Sequence, residues 1–243
     1  MRRLTVSAVP VLNDNYVWLI SDTETGKTAA VDPSVAEPVL DHAAANDLRI
    51  VQVLNTHWHP DHTGGNQGVK AATGCSITAP AEAQRVSPID HVVAEGDRVT
   101  VVGADAIVWD IPAHTAGHIA YYFEDEQMIF VGDTMFAMGC GRLFEGTAAQ
   151  MYANLRRIAA LPDDVRIYCG HEYTLANARF AVHAEPDNPA IAARLEQVTA
   201  LRDAGTITLP TTVAEERETN PFVRATNDQE FARLRLAKDS FRS

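Results

Sequence analysis

Short apolar-rich runs closed by turn residues open the chain, at Leu4–Val9, Tyr16–Ser21 and Lys27–Asp32, and they predict three successive strands, the last ending at Asp32-Pro33. A helical stretch follows from Val35 to Asn46, with Ser34 placed as its N-cap. Ile50–Asn55 reads as a buried strand. Further strands are predicted at Cys75–Ala79, Arg98–Val102, Ala106–Ile111, Ile119–Phe123, Met128–Val131 and Arg166–Cys169. Thr147–Leu161 repeats with helical period, which puts Met151, Leu155, Ile158 and Ala159 on one side. After Gly170 the pattern changes. Helical runs stand at Leu175–Ala184, Pro189–Ala204 and Asp228–Lys238, with a Pro- and Thr-containing connector at Leu209–Thr212 and no further strand pattern. The pattern predicts a layered domain of strands and helices over residues 1–172 and a small helical domain over residues 173–243.

Composition narrows the class. At 243 residues, with 46% hydrophobic and 21% charged positions, the chain can bury a sizeable core. No apolar run approaches the roughly 20 residues that cross a bilayer, so no membrane partner is expected. Met1-Arg2-Arg3-Leu4 begins like a secretory leader, but Ser7 and Pro10 interrupt the apolar stretch and Asn13-Asp14-Asn15 ends it; a first strand is the better reading. Cys75, Cys140 and Cys169 are odd in number and widely spaced, so they form neither a disulfide framework nor a zinc ribbon; this fits the cytoplasm. A net charge of −12 repels phosphate backbones and argues against nucleic acid. The chain is expected to act as a monomer.

The chemistry concentrates in Thr56-His57-Trp58-His59-Pro60-Asp61-His62, directly after a predicted buried strand. Imidazole and carboxylate donors of this kind suit zinc, iron or manganese. Three more residues sit at predicted strand ends: His114 in Pro112-Ala113-His114-Thr115-Ala116-Gly117-His118, Asp133 in Gly132-Asp133-Thr134, and His171 in Gly170-His171-Glu172. Singly, each reads equally as a turn or cap residue. Together with the first cluster they count out to two metal sites sharing one carboxylate. Cys169, two residues before His171, reads as a buried structural thiol, and Cys140 as a tight loop residue. No G-x-S-x-G nucleophile elbow occurs.

These motifs resemble the metallo-β-lactamase superfamily. Leu12-Asn13-Asp14-Asn15-Tyr16, Gly139-Cys140-Gly141-Arg142-Leu143-Phe144-Glu145-Gly146-Thr147, Gly170-His171-Glu172-Tyr173-Thr174 and Thr219-Asn220-Pro221-Phe222 resemble, more narrowly, the hydroxyacylglutathione hydrolase (glyoxalase II) family over the whole chain. The resemblance implies an α+β fold, an αββα sandwich with a small C-terminal helical domain. It implies that His57, His59 and His114 hold one metal, that Asp61, His62 and His171 hold a second, and that Asp133 bridges them, with His118 orienting ligands from behind. It implies two divalent ions per chain, zinc foremost with iron or manganese as alternatives, and catalysis by a metal-bound hydroxide supported by Asp61 and Asp133. The chain departs from the commoner family motif at Trp58, where histidine is frequent, and Pro60 is expected to stiffen the loop.

The implied substrate is a glutathione thioester, S-D-lactoylglutathione or another 2-hydroxyacylglutathione, cleaved in the second step of methylglyoxal disposal. Glutathione is anionic, so an acidic protein needs a local basic grip. The tail offers Arg233, Arg235, Lys238 and Arg242, and on a helix Arg235 and Lys238 share a face. Taken alone, such residues equally complement a helix dipole. By resemblance, Arg142, Arg235 and Lys238 grip the carboxylates and Tyr173 hydrogen-bonds the glutathione part. Phe144 stands where the family often has tyrosine; it can pack but cannot donate a hydrogen bond, so a substrate contact or water network is expected to be missing and binding to be weaker. A glutathione persulfide dioxygenase with one iron is the alternative enzyme on the same scaffold, and a non-catalytic metal-binding module is the alternative outside enzymes.

Overall fold

A computed structural model describes residues 4–242; Met1–Arg3, on which the leader reading began, lie outside the described residues. The chain forms two compact units: residues 1–110 with 117–132 (unit 1), and residues 111–116 with 133–243 (unit 2).

Unit 1 opens with β1 (Leu4–Val11), β2 (Asn15–Asp22) and β3 (Lys27–Val31), then α1 (Ala36–Ala45), β4 (Arg49–Leu54), the one-turn α2 (Pro60–Thr63), α3 (Asn66–Thr73), β5 (Ser76–Ala79) and β6 (His91–Val92). The six strands make one sheet in the order β1-β2-β3-β4-β5-β6, antiparallel through β3 and parallel from there on. Then β7 (Arg98–Val101), β8 (Ala104–Asp110), β9 (Ile119–Phe123) and β10 (Met128–Gly132) follow as an antiparallel meander. Parallel strands need a covering layer. Val39 and Ala43 of α1 and Val69 of α3 supply it, packing with Ile50, Val53 and Ile77 of the sheet. The hydroxyl of Tyr121 on β9 donates to the carbonyls of Asn55 and Thr78, which ties the meander to the first sheet.

Unit 2 carries the short hairpin β11 (Met135–Phe136) and β12 (Gly139–Cys140), α4 (Ala148–Ala159), β13 (Arg166–Cys169), α5 (Thr174–Ala184), α6 (Pro189–Asp203), β14 (Thr211–Thr212), α7 (Val213–Thr219), α8 (Pro221–Arg224) and α9 (Asp228–Ser240). Capping chemistry sets the helix starts. Thr147 and Gln150 form a reciprocal capping box at α4, and Thr212 and Glu215 form another at α7. No described helix is long and apolar enough to cross a membrane.

Three local expectations are corrected. Ser34 does not cap α1: Val35 occupies the cap position without a side-chain bond, and the Ser34 hydroxyl turns to the backbone carbonyl of Asp61. The connector at Leu209–Thr212 contains a strand after all, since β14 pairs antiparallel with β13. Cys140 likewise sits in a strand rather than a loop.

Candidate active site

The histidine loop leaves β4 at its carboxyl end and turns at once into α2, whose first position is Pro60. Its anchor is Asp32, at the end of β3, a residue that no sequence motif marks as functional. This carboxylate is buried and accepts three hydrogen bonds: Thr56 N–H at 2.8 Å, the Thr56 hydroxyl at 2.7 Å and His62 Nδ1 at 3.0 Å. It holds φ +53°, which aspartate tolerates better than most residues.

Those bonds determine which imidazole nitrogens carry lone pairs. The Thr56 hydroxyl gives its proton to Asp32, so its oxygen accepts from His57 Nδ1 at 3.0 Å. His57 Nε2 then carries a lone pair, 3.1 Å from His59 Nδ1. His62 gives its Nδ1 proton to Asp32, so its Nε2 lone pair faces Asp61 Oδ2 at 3.7 Å. An acceptor set against a carboxylate repels it unless a cation lies between. This is the carboxylate–histidine arrangement that prepares a ring for a metal. Asn15 Nδ2 donates to Asp61 at 3.2 Å and fixes that side chain. His118 is fully buried, donates Nδ1–H to the Ile119 carbonyl at 3.1 Å and stacks on His57 with ring centroids 4.5 Å apart. Gly132 sits beside it with φ +48°; a Cβ there would lie 2.3 Å from Thr56 Oγ1 and 2.9 Å from His118 Nε2, so only glycine fits. Trp58 stands edge-on to His59, with Arg85 5.2 Å above its ring.

Unit 2 repeats the same logic around Asp133. His114 donates Nδ1–H to the Arg142 carbonyl at 3.0 Å, so its Nε2 lone pair faces Asp133 Oδ2 at 3.4 Å. His171 Nε2 lies 3.3 Å from the same oxygen. One carboxylate oxygen thus meets two imidazoles, and Asp133, His114 and His171 are all buried. The backbone before His114 is unusual, with Ala113 at φ +152°. Glu172, the residue after His171, is anchored by accepting from Thr208 N–H at 2.9 Å and the Thr208 hydroxyl at 2.6 Å. Cys169 is buried, its thiol pushed up by desolvation and aimed at the His171 carbonyl at 3.6 Å. Burial likewise pushes the Cys140 thiol up to about 11, so neither is a ready nucleophile. The nitrogen and oxygen donors in both units fit divalent metal ions.

Unit 2 also holds a groove of about 500 Å³ lined by Arg142, Leu143, Phe144, Ala148, Ala232, Arg235, Leu236 and Asp239. Three of the sequence-derived substrate residues meet there: Arg142, Phe144 and Arg235. Phe144 and Leu236 expose apolar surface into it, 59% and 71% accessible. Arg235 is buried, donating to the Cys140 carbonyl at 2.8 Å and to Asp239 at 2.9 Å, while its Nε has no hydrogen-bond partner among the described residues. The other two lie outside the lining. Lys238 Nζ donates to the Ala176 carbonyl at 2.9 Å and lies over the Phe180 ring, and burial together with the Arg235 charge lowers it to about 8. Tyr173 stacks flat on His171 at 4.7 Å.

Comparison with known proteins agrees with this geometry. Residues 12–171 match the model of the metallo-beta-lactamase superfamily, and residues 172–241 match that of the hydroxyacylglutathione hydrolase C-terminus. The chain is 49% identical to a hydroxyacylglutathione hydrolase of Methylococcus capsulatus, over 96% of this chain and 91% of that one. It is 46% identical to a hydroxyacylglutathione hydrolase of Rhodospirillum rubrum, over 99% and 100% respectively. Among solved structures, ETHE1 from Myxococcus xanthus superposes with a TM-score of 0.74 at 26% identity, over 98% of this chain and 92% of that one.

Proposed function

This chain belongs to the hydroxyacylglutathione hydrolase (glyoxalase II) family of the metallo-β-lactamase superfamily, and on that premise we propose that it hydrolyses S-D-lactoylglutathione and related 2-hydroxyacylglutathiones to the free acid and glutathione, using two divalent ions. It is an enzyme, a thioester hydrolase with an α+β metallo-β-lactamase fold. His57, His59 and His114 are the ligands of one ion in this reading. Asp61, His62 and His171 are those of the other, and Asp133 belongs to both. Zinc is the first candidate, with iron or manganese accepted by the same donors. When bound, such a pair supplies Lewis acidity and a water whose pKa falls toward neutrality.

The chain's own residues prepare that chemistry. Asp32 and Thr56 fix the His57 and His62 tautomers, so each ring offers Nε2. The observation that carries the reading is the facing of acceptors, His62 Nε2 against Asp61 and His114 Nε2 against Asp133, in both units. Asp61 and Asp133 orient the attacking water. A thiolate leaves without needing a dedicated general acid, so the absence of a protonated donor in the motif set is no obstacle.

The unit 2 groove is the proposed seat of the glutathione part. Arg142 and Arg235 meet its carboxylates and Phe144 packs against its chain, with Lys238 and Tyr173 completing the grip. Functionally the chain then divides into a catalytic domain, residues 1–172, and a helical substrate domain, residues 173–243. One chain supplies the full ligand set, which supports a monomer as the working unit, and three free, buried cysteines support a cytoplasmic setting. The test is turnover of S-D-lactoylglutathione by the purified enzyme. Rapid loss of thioester absorbance, abolished by a chelator, is expected. No turnover of the thioester, with oxygen uptake on glutathione persulfide instead, would replace this reading with the dioxygenase.

A further inference from the structure

Side chains that face inward between two packed sheets are normally apolar. At one edge of unit 1, polar and charged side chains stand among the valines Val51, Val93, Val99 and Val102. Val53 and Ile77 point toward α1 and α3, so by strand alternation Gln52, Ser76 and Thr78 point to the opposite face of the sheet. They line a cleft of about 630 Å³ together with Lys27 at the start of β3, His91 of β6 and Arg98 at the start of β7. Lys27, His91 and Arg98 are exposed, and among the described residues none of their side chains makes a hydrogen bond or ion pair. The one acid lining the cleft among the described residues is Asp22, and it is engaged: its Oδ1 accepts the backbone N–H of Glu24 at 2.9 Å and of Thr25 at 3.3 Å.

On a chain of net charge −12, Lys27 and Arg98 lining one cleft without an ion pair among the described residues are a local reversal of sign. Arginine and lysine beside hydroxyl and amide groups match an anion with several oxygens. We propose that this cleft binds a soluble phosphate-bearing small molecule, Arg98 and Lys27 holding the phosphate oxygens while Gln52, Ser76 and Thr78 bond the remainder. The site shares no residue with the proposed metal ligands. His57 stands five residues beyond Gln52, up to about 17 Å of extended chain, so this inference stands apart from the thioester reading.

Isothermal titration of the metal-loaded full chain with inorganic pyrophosphate, at constant ionic strength, tests it. One saturable site per chain is expected, weakened at least tenfold in both Arg98→Gln and Lys27→Gln and unchanged in Arg235→Gln. Both cleft variants should keep wild-type thioester turnover, which shows that they fold. Absence of saturable heat overturns the proposal, as does binding that survives in both cleft variants or is lost in Arg235→Gln. Co-sedimentation with vesicles containing phosphatidylinositol phosphate should leave the chain in the supernatant. Pelleting that Arg98→Gln abolishes would overturn the soluble ligand in favour of a lipid headgroup.

Discussion

In the histidine loop of unit 1, a buried carboxylate, a buried hydroxyl and a backbone carbonyl dictate the protonated nitrogen of His57, His62 and His118. In the groove of unit 2, Arg142 is 69% exposed at its side chain and reaches Asp239 only at 3.9 Å, and Phe144 lies open to solvent. The first region fixes donors to within a hydrogen-bond length. The second holds one cation, Arg235, by hydrogen bonds to Cys140 and Asp239, but leaves Arg142 and its apolar area open. The difference suits the two proposed tasks: chemistry needs ligands held before a metal arrives, whereas capture of a flexible tripeptide tolerates adjustable partners. Damage to the first should therefore fall on metal content and kcat, and damage to the second on KM.

The strongest way to break this comparison is Asp133→Asn. It removes the carboxylate charge facing both His114 and His171. Metal content should fall at both sites and kcat/KM should drop by roughly three orders of magnitude, the rate equivalent of several kcal/mol. Metal analysis and steady-state kinetics on one sample would check this, and full metal content with an unchanged rate would remove Asp133 from the centre. Next comes Asp32→Asn: Asp32 is not itself a proposed ligand, but its charge holds the proposed ligand His62 and Thr56. Metal affinity should weaken by about 10- to 100-fold, read by competition with a chelator.

Arg235→Gln belongs to the other side of the comparison. KM should rise by about tenfold or more, the scale of one charge-assisted hydrogen bond, with kcat and metal content kept; the exposed Arg142→Gln should show a smaller rise. Lys238 gives that grip a pH dependence. Its ammonium is lowered to about 8 by burial and by Arg235, so the cation is present below that pH and lost above it. KM should rise as pH climbs through about 8, and Lys238→Arg should flatten that limb of the profile. The smallest effect is expected from Phe144→Tyr. A restored hydroxyl in the groove should lower KM by a few-fold, within the roughly 1 kcal/mol of a neutral hydrogen bond.

The two regions also differ in how far they could be read from sequence. The metal-ligand candidates were legible because they lie in one seven-residue run and at three strand ends, positions that pattern alone identifies. Asp32 was not, because it stands 24 residues before Thr56 and looks like an ordinary strand terminus; only the β3–β4 pairing brings the two together. Helical spacing correctly put Arg235 and Lys238 on α9 but could not tell that one turns to Cys140 and the other to Ala176. The periodic helix α4 and the long run of α6 were readable, and capping residues set their starts. The two-residue strands β6, β11, β12 and β14 carry too few residues for any period, and exist because a neighbouring strand pairs with them. Ser34 shows the converse: a residue of good capping type was claimed by a distant carbonyl.

The most direct measurement is metal content per chain, taken on the same purified sample whose turnover of S-D-lactoylglutathione is followed. The account predicts close to two divalent ions per chain, and thioester turnover that a chelator abolishes and added metal restores. A single iron per chain, with no thioester turnover, would contradict it.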